Sequence, residues 1–308
     1  MKLNILKAPS FLLLSTMSSA SFGAGFAIIE QSVTGLGRAF AGSAAAAEDG
    51  STVFFNPAGL VYLKQAEMDF ALNYIAPNTE FNNDGTSSPA NGGDYGDAGN
   101  NAVVPNFYFA KPLNDKVAIG FGVTAPFGLV TEYNENWVGR YFAVKSDLKT
   151  INFNPSIAFK ATDKLSIGFG VSAEYIDLTL SQMTDRFGAP DRKVKLEADD
   201  WGYGYNLGIM YQMTPETRLA LAYRSKISHT LKGEGKVTIP TGEIEQNIQG
   251  DVDLPETLSL AIHHQLNDKW SVMADATMTR WSRFEELAIE SDGGAFTDTK
   301  AEDWDNSM

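Results

Sequence analysis

The sequence predicts an all-β fold: a transmembrane antiparallel up-and-down β-barrel that holds its amino-terminal segment inside as a plug. Three observations carry this expectation. Long stretches alternate with strict period two, short turns and long polar connectors follow one another regularly, and one small-residue-rich stretch, 24–60, does not alternate.

The plug candidate comes first in the chain. AGFAIIEQSVTGLGRAFAGSAAAAEDGSTVFFNPAGL is rich in small residues. Thr34 to Ala47 has room for short helical turns, but Gly35, Gly37 and Gly42 argue against one long helix. Asn56-Pro57 is a turn former whose proline withholds a backbone donor. Upstream, Lys2 and Lys7 precede an apolar core from Phe11 to Ala20, and Ser21 and Gly23 are small residues at a cleavage position. This reads as a signal peptide over 1–23. The expected organisation is therefore signal peptide 1–23, hatch 24–65 and partial barrel 66–308.

From Glu67 onward the alternation dominates. Val117, Ile119, Phe121 and Val123 alternate with Ala118, Gly120, Gly122 and Thr124. Leu165, Ile167, Phe169 and Val171 alternate with Ser166, Gly168, Gly170 and Ser172. Trp201, Tyr203, Tyr205, Leu207, Ile209 and Tyr211 alternate with Gly202, Gly204, Asn206, Gly208 and Met210. The strands are long enough for a tilted membrane crossing. Aromatics at Trp201, Tyr203, Tyr211, Trp270 and Trp281 suit interfacial girdles. Short turns at 114–116, 162–164, 214–217 and 267–269 recur about every second strand. Polar connectors at 78–101, 132–147, 184–200 and 240–251 lie between them. The count is about nine strands and the start of another near Thr299. Barrels close without an edge, so the stop at Met308, in mid-pattern, leads one to expect a longer native chain.

Composition narrows the function. The 308 residues carry a formal net charge of −14, which argues against nucleic acid as a partner, since phosphate binding needs clustered Lys and Arg. A mean hydropathy of −0.17 is compatible with barrel strands, whose alternation averages out. Cysteine is absent. His263 and His264 face opposite sides of a strand and cannot share a metal; with His229 they read as interfacial. No nucleophile–base set, nucleotide loop or metal spacing is present, so no enzyme activity, cofactor or metal is expected.

Several stretches fall in a telling order. They are Ala24-Gly25-Phe26, Gly35-Leu36-Gly37-Arg38-Ala39, Asn56-Pro57-Ala58, Phe127-Gly128-Leu129, Thr131-Glu132-Tyr133, Trp201-Gly202-Tyr203-Gly204, Ala222-Tyr223-Arg224-Ser225, Leu254-Pro255-Glu256 and Trp281-Ser282. Together they resemble the FadL-type long-chain fatty acid transporters of bacterial outer membranes, a family that includes aromatic-hydrocarbon uptake channels. The resemblance implies a fourteen-stranded barrel, of which nine to ten strands are present, with a hatch in the lumen. It implies that ligand enters from outside, binds an apolar pocket against the hatch, and leaves through the wall at a kinked third strand.

Individual residues take roles on that basis. Asn56, Pro57 and Ala58 would be the hatch signature. Phe26 would touch the ligand; the alternative is a plain anchor for the plug. Pro126, Phe127 and Gly128 would kink the third strand, since proline removes a ladder bond and glycine tolerates a bulge; Pro105 and Pro155 lie in neighbouring strands. Arg186 would meet a carboxylate, or else is an exposed loop arginine near Asp191. Arg38, Arg224 and Lys226 would pair with the plug acids Glu30, Glu48 or Asp49, Arg38 and Arg224 as plug–barrel latches. The acidic tail 301–305 departs from the family pattern and leaves the cargo class open. Expected partners are a hydrophobic small molecule and outer-membrane lipid or lipopolysaccharide, with the protein monomeric. The competing readings are an aromatic-hydrocarbon channel and a non-transporting structural or adhesion protein.

Overall fold

The computed structural model describes residues 25–83, 92–93, 96–184, 190–239, 242–284, 286–292, 297–301 and 304–308. The expected signal peptide, Ala24 and Arg186 lie outside the described residues. Three short helices, α1 (Val33–Gly37), α2 (Ser43–Ala46) and α3 (Thr52–Phe55), and a 3-10 helix (Pro57–Tyr62) come first. One antiparallel sheet follows: β1 (Glu67–Ile75), β2 (Ala102–Asn114), β3 (Val117–Thr124), β4 (Gly128–Glu132), β5 (Lys145–Lys160), β6 (Leu165–Thr184), β7 (Arg192–Gln212), β8 (Thr217–Arg224), β9 (Ile227–Ile239), β10 (Gly242–Leu254), β11 (Thr257–Asn267), β12 (Trp270–Thr279), β13 (Glu286–Ser291) and β14 (Thr297–Ala301).

These segments make ten passes across the wall. β3 and β4 both pair with β5, and β8 and β9 both pair with β7. Likewise β11 and β12 pair along the same seam as β10 and β13. Thus β3–β4, β8–β9, β10–β11 and β12–β13 are each one strand with a break in it.

The alternation sets which face meets lipid. Ile167 and Phe169 are each 44% exposed, whereas their neighbours Ser166, Gly168 and Gly170 are buried. Large apolar side chains therefore point out and small ones point in, the reverse of a soluble sandwich. The short turns share one device. Asn114 Oδ1 accepts from the Lys116 and Val117 amides, Asn267 Oδ1 from Lys269 and Trp270, and Thr162 Oγ1 from Lys164 and Leu165. Asn and Thr make such turns because a short side-chain acceptor mimics the backbone.

Two expectations about the long-loop end are corrected. Of the expected connectors 184–200 and 240–251, residues 192–200 and 242–251 are strand, because β6, β7, β9 and β10 continue past the apolar band. They stay paired there because their inward faces carry Leu178, Leu196, Leu231 and Ile248, which pack on one another. Trp281 does not join a girdle: it is fully buried in that same cluster.

The connector between β4 and β5 is pinned across this end. Arg140 Nε donates to Asp191 at 2.8 Å, and the Tyr141 hydroxyl donates to the same carboxylate at 3.0 Å. The Arg140 guanidinium, helped by Tyr141, holds the Asp191 carboxyl below its ordinary value. A depressed folded value means that this pin is complete above the free carboxylate value of about 4 and is lost as pH falls through the folded value. Protease cleavage between 133 and 144 is expected to be slow at pH 7 and to accelerate only well below pH 4. In Asp191→Asn it should be fast at both, and equal rates in the two proteins at pH 7 would refute the pin.

Candidate functional site

The helical segment lies against the inward face of strands that are far apart in the sheet, so the wall curls around it. The Asn73 (β1) and Asn106 (β2) amides donate to the Glu30 carbonyl at 2.8 and 2.7 Å. Tyr108 (β2) donates to the Gln31 carbonyl at 2.7 Å. Asn206 (β7) donates to Val53 O, Arg218 (β8) to Ala46 O, and Asp275 (β12) accepts from the Gly42 amide. Apolar contacts fill the rest: Ala44, Ala45 and Ala58 pack on Met210, Ala220, Ala222 and Ala261, while Val53 and Leu60 pack on Tyr108, Ala110, Ala118 and Ala158. Small wall residues are required because helix backbone approaches the sheet directly.

Asn56 sits at the centre of this seat and is wholly buried. Its Oδ1 caps the 3-10 helix by accepting from the Ala58 amide at 3.0 Å. Its Nδ2 donates to Ala44 O at 2.9 Å and reaches Ile209 O on β7 at 3.3 Å. Pro57 at the first helical position has no N–H to leave orphaned, and Ala58 lies against Gly168 and Gly208.

The third wall strand breaks at Ala125-Pro126-Phe127, between β3 and β4. The amino-terminal segment fills the gap as an added strand. Ile28 N–H donates to Pro126 O at 2.8 Å, Gly128 N–H donates to Phe26 O at 2.9 Å, and Ala27 bridges Phe127. Gln31 Nε2 donates to Ala125 O at 2.9 Å. On the other side Thr150 holds Phe127 through both its backbone and its hydroxyl.

The Phe26 ring enters an aromatic cluster with Trp281, Phe284, Trp304 and Phe127, at centroid separations of 5.0, 5.4, 5.6 and 5.9 Å. This cluster explains why the inward face of β6 turns apolar at Ile176. The register of β6 on β7 runs through Ile176 without interruption. The lumen at that height is filled by side chains, with Phe26 of the hatch among them.

A cavity of about 270 Å³ lies between hatch and wall. Ala27, Ile28, Ile29, Phe40, Phe54, Phe55 and Phe127 give it apolar walls, and Glu174, Asn206 and Arg224 supply polar groups. Phe26 does not line it; its three successors do. The cavity also reaches a second set of wall breaks. Ser225-Lys226 separates β8 from β9, Pro255-Glu256 separates β10 from β11, and a 3-10 turn (Trp281–Arg283) lies between β12 and β13. The breaks are held by charge: Glu256, 8% exposed, accepts from Arg280 at 2.7 Å, from Arg283 at 3.4 Å and from the Tyr223 hydroxyl at 3.2 Å.

The expected latches divide. Arg38 pairs with Glu48 at 3.1 Å and bonds Ala41 O, so both partners are within the hatch and the residue does not reach the wall. Lys226 pairs with Asp253 at 2.6 Å, a wall residue. Arg224 reaches the hatch, but through Phe54 and not through a plug acid. Its guanidinium lies 4.3 Å over the Phe54 ring and 3.4 Å from Phe54 O. His229 is not interfacial: it is buried inside, 3.5 Å from Glu174 and 3.6 Å from Asp200. Sequence reasoning did not single out Glu174 and Asn206. The signal was available, because both occupy inward positions among serines and glycines, where a charged or amide group is out of pattern.

Fold and cavity together define a class, a membrane β-barrel wall wrapped around its own amino-terminal segment with an apolar chamber between them. The chain belongs to the outer membrane protein transport family (OMPP1/FadL/TodX), whose model matches residues 14–308. It is 33% identical to Outer membrane protein P1 of Haemophilus influenzae, over 92% of this chain and 72% of the relative. It is 29% identical to the long-chain fatty acid transport protein of Escherichia coli O6:H1, over 90% and 70%. A Pseudomonas aeruginosa FadL homologue of known crystal structure superposes with a TM-score of 0.78 at 26% identity, over 92% of this chain and 76% of that one. The Ralstonia pickettii toluene transporter TbuX shares the fold, with a TM-score of 0.68 at 23% identity over 84% and 75%. The family is one of transporters, located in the outer membrane.

Proposed function

We infer that this protein takes up long-chain fatty acids or similar hydrophobic compounds across the outer membrane by passive diffusion. The observation that carries the mechanism is the stitching of Phe26–Gly128 and Ile28–Pro126 across the break in the third wall strand. An apolar cargo partitions into lipid, so a route through the wall suits it better than a water-filled pore. The amino-terminal segment covers that route from inside and also lines the cavity, so a ligand that displaces Ala27–Ile29 uncovers the exit. Residues 24–65 act as the hatch, with Asn56, Pro57 and Ala58 as its seat. The outward apolar band faces outer-membrane lipid and lipopolysaccharide, and the protein works as a monomer. The net charge of −14 gives no long-range attraction for anions, so apolar partition is the driving force and neutral hydrocarbons are admissible cargo.

Uptake of labelled oleate into proteoliposomes tests the reading. Pro126→Ala with Gly128→Ala is expected to reduce uptake several-fold by letting β3 run on into β4. Deletion of 25–31 is expected to leave the break uncovered and to raise leakage of small solutes. If neither change alters transport, the lateral route is wrong; if the unmodified protein transports nothing, it is a structural or adhesion protein.

A further inference from the structure

Arg218 and Arg224 both reach the hatch from the wall without a carboxylate partner among the described residues, but Arg218 holds Ala46 O firmly at 2.7 Å whereas Arg224 has no such firm bond. Arg38, Arg140 and Arg280 each hold a carboxylate at 3.1, 2.8 and 2.7 Å. Among the described residues no carboxylate lies within 4.0 Å of Arg224, although it lines the cavity and projects into the lumen. Its oxygen partners are neutral and long: Ser172 Oγ at 3.3 Å, Phe54 O at 3.4 Å and Asn154 Oδ1 at 3.5 Å. Good N–H···O bonds run about 2.7–3.2 Å. A cation withdrawn from water with only weak neutral acceptors is costly, and a carboxylate with its two oxygens is the partner its planar fork fits.

Glu174 is on the same cavity wall and acts on Arg224 through space, but it makes no ion pair with it within 4.0 Å. Its Oε2 accepts from Asn152 at 2.8 Å, and Oε1 faces His229 at 3.5 Å. The cavity has a second relevant property. At about 270 Å³ it falls just below the roughly 300–1,000 Å³ of ordinary ligand pockets, so a long acyl chain enters only if the hatch yields. The hatch residue in contact with Arg224 is Phe54, which lines the cavity together with Phe55.

We propose that Arg224 is a carboxylate-operated latch: it rests on Phe54 without ligand, and transfers to the carboxylate of an entering long-chain fatty acid, which frees the α3 end of the hatch. This rests on the uptake reading and adds its coupling step. The exchange is favourable because a charge-assisted pair replaces three long neutral bonds and a ring contact. It also gives carboxylates an advantage over neutral chains of equal length, which leave the latch in place.

The test measures binding of oleate and of methyl oleate, which has the same chain without the anion, to the full chain in amphipol. Hydrogen exchange of residues 52–56 is followed in parallel, and folding is verified by heat-modifiable gel migration. Arg224→Gln is expected to weaken oleate by about tenfold or more and to leave methyl oleate as tight as before or tighter, because the latch is gone, with Arg224→Lys recovering part of the loss of oleate. Oleate should speed exchange at 52–56 in the unmodified protein only. Phe54→Leu, which removes the resting place, should tighten oleate. The latch is overturned if Arg224→Gln binds oleate normally, if it loses both ligands equally, or if Phe54→Leu weakens oleate alone. An unmodified protein that binds both ligands equally overturns the latch while leaving uptake standing; one that binds neither overturns both.

Discussion

Gly168→Val is expected to drive the hatch from its seat while leaving the wall folded. A Cβ at Gly168 would fall inside contact distance of the Ala58 nitrogen and the Pro57 carbonyl carbon. Both are backbone atoms, so no rotamer change relieves the clash. The wall cannot retreat either, because Gly168 is paired to Ala158 on one side and Gly208 on the other. Overpacking of this kind costs about 1–3 kcal/mol where neighbours can adjust, and more where they cannot. The hatch is the element that yields, since around Ala58 it is attached to the wall by side-chain bonds and small contacts. Planar-bilayer conductance should rise from near zero to a steady leak, with heat-modifiable migration unchanged. Phe169→Leu, one residue along on the outward face, should leave both unaltered. A non-conducting, folded Gly168→Val would show that Ala58 does not rest on this strand.

Asn56→Ala is expected to produce the same leak by the opposite route, removing attachment instead of adding bulk. The amide supplies the cap on Ala58 and the bonds to Ala44 O and Ile209 O, and it is wholly buried. Each buried partner left unsatisfied costs about 1–3 kcal/mol. Losing the two firm bonds that fold the hatch on itself, together with the longer bond to Ile209 O on the wall, therefore weakens the folded and seated hatch by about 3 kcal/mol, which raises the unseated population on the order of a hundredfold. Hydrogen exchange across 43–62 should accelerate by that factor, while the amides of β6 and β7 keep their protection. Asn56→Asp retains the cap acceptor but sets a buried carboxylate oxygen against the Ala44 and Ile209 carbonyls, so exchange there should be at least as fast as in Asn56→Ala. Slower or unchanged exchange in Asn56→Ala would rule out its role in seating the hatch.

Much of this was legible in the chain because a strand in a membrane wall obeys one simple rule. Side chains alternate, lipid admits only apolar groups on one face, and Ile167, Phe169, Leu207 and Ile209 declare that face directly. The turn residues Asn114, Thr162 and Asn267 were equally plain, since their side-chain acceptors act within three residues. The break at Pro126 announced itself through a proline in an otherwise regular strand. Other features were not legible for a definable reason. Parity tells which side of the wall a residue faces but not what occupies the lumen at its height. Trp281 looked like an interfacial aromatic and is buried against Phe26. Arg38 looked like a latch to the wall and closes on Glu48 inside the hatch.

By itself, the sequence determined the antiparallel wall, its outward apolar band, its turns and the family to which it belongs. These depend on local chemistry and on the period-two geometry of a strand. Only the tertiary structure decided that Phe26 to Ile28 completes the broken third strand, that Arg224 rests on Phe54 without an acid, and that Ala27, Phe54 and Glu174 share one chamber. Those residues are separated by up to two hundred positions, and it is the curling of the sheet around its own amino end that brings them together.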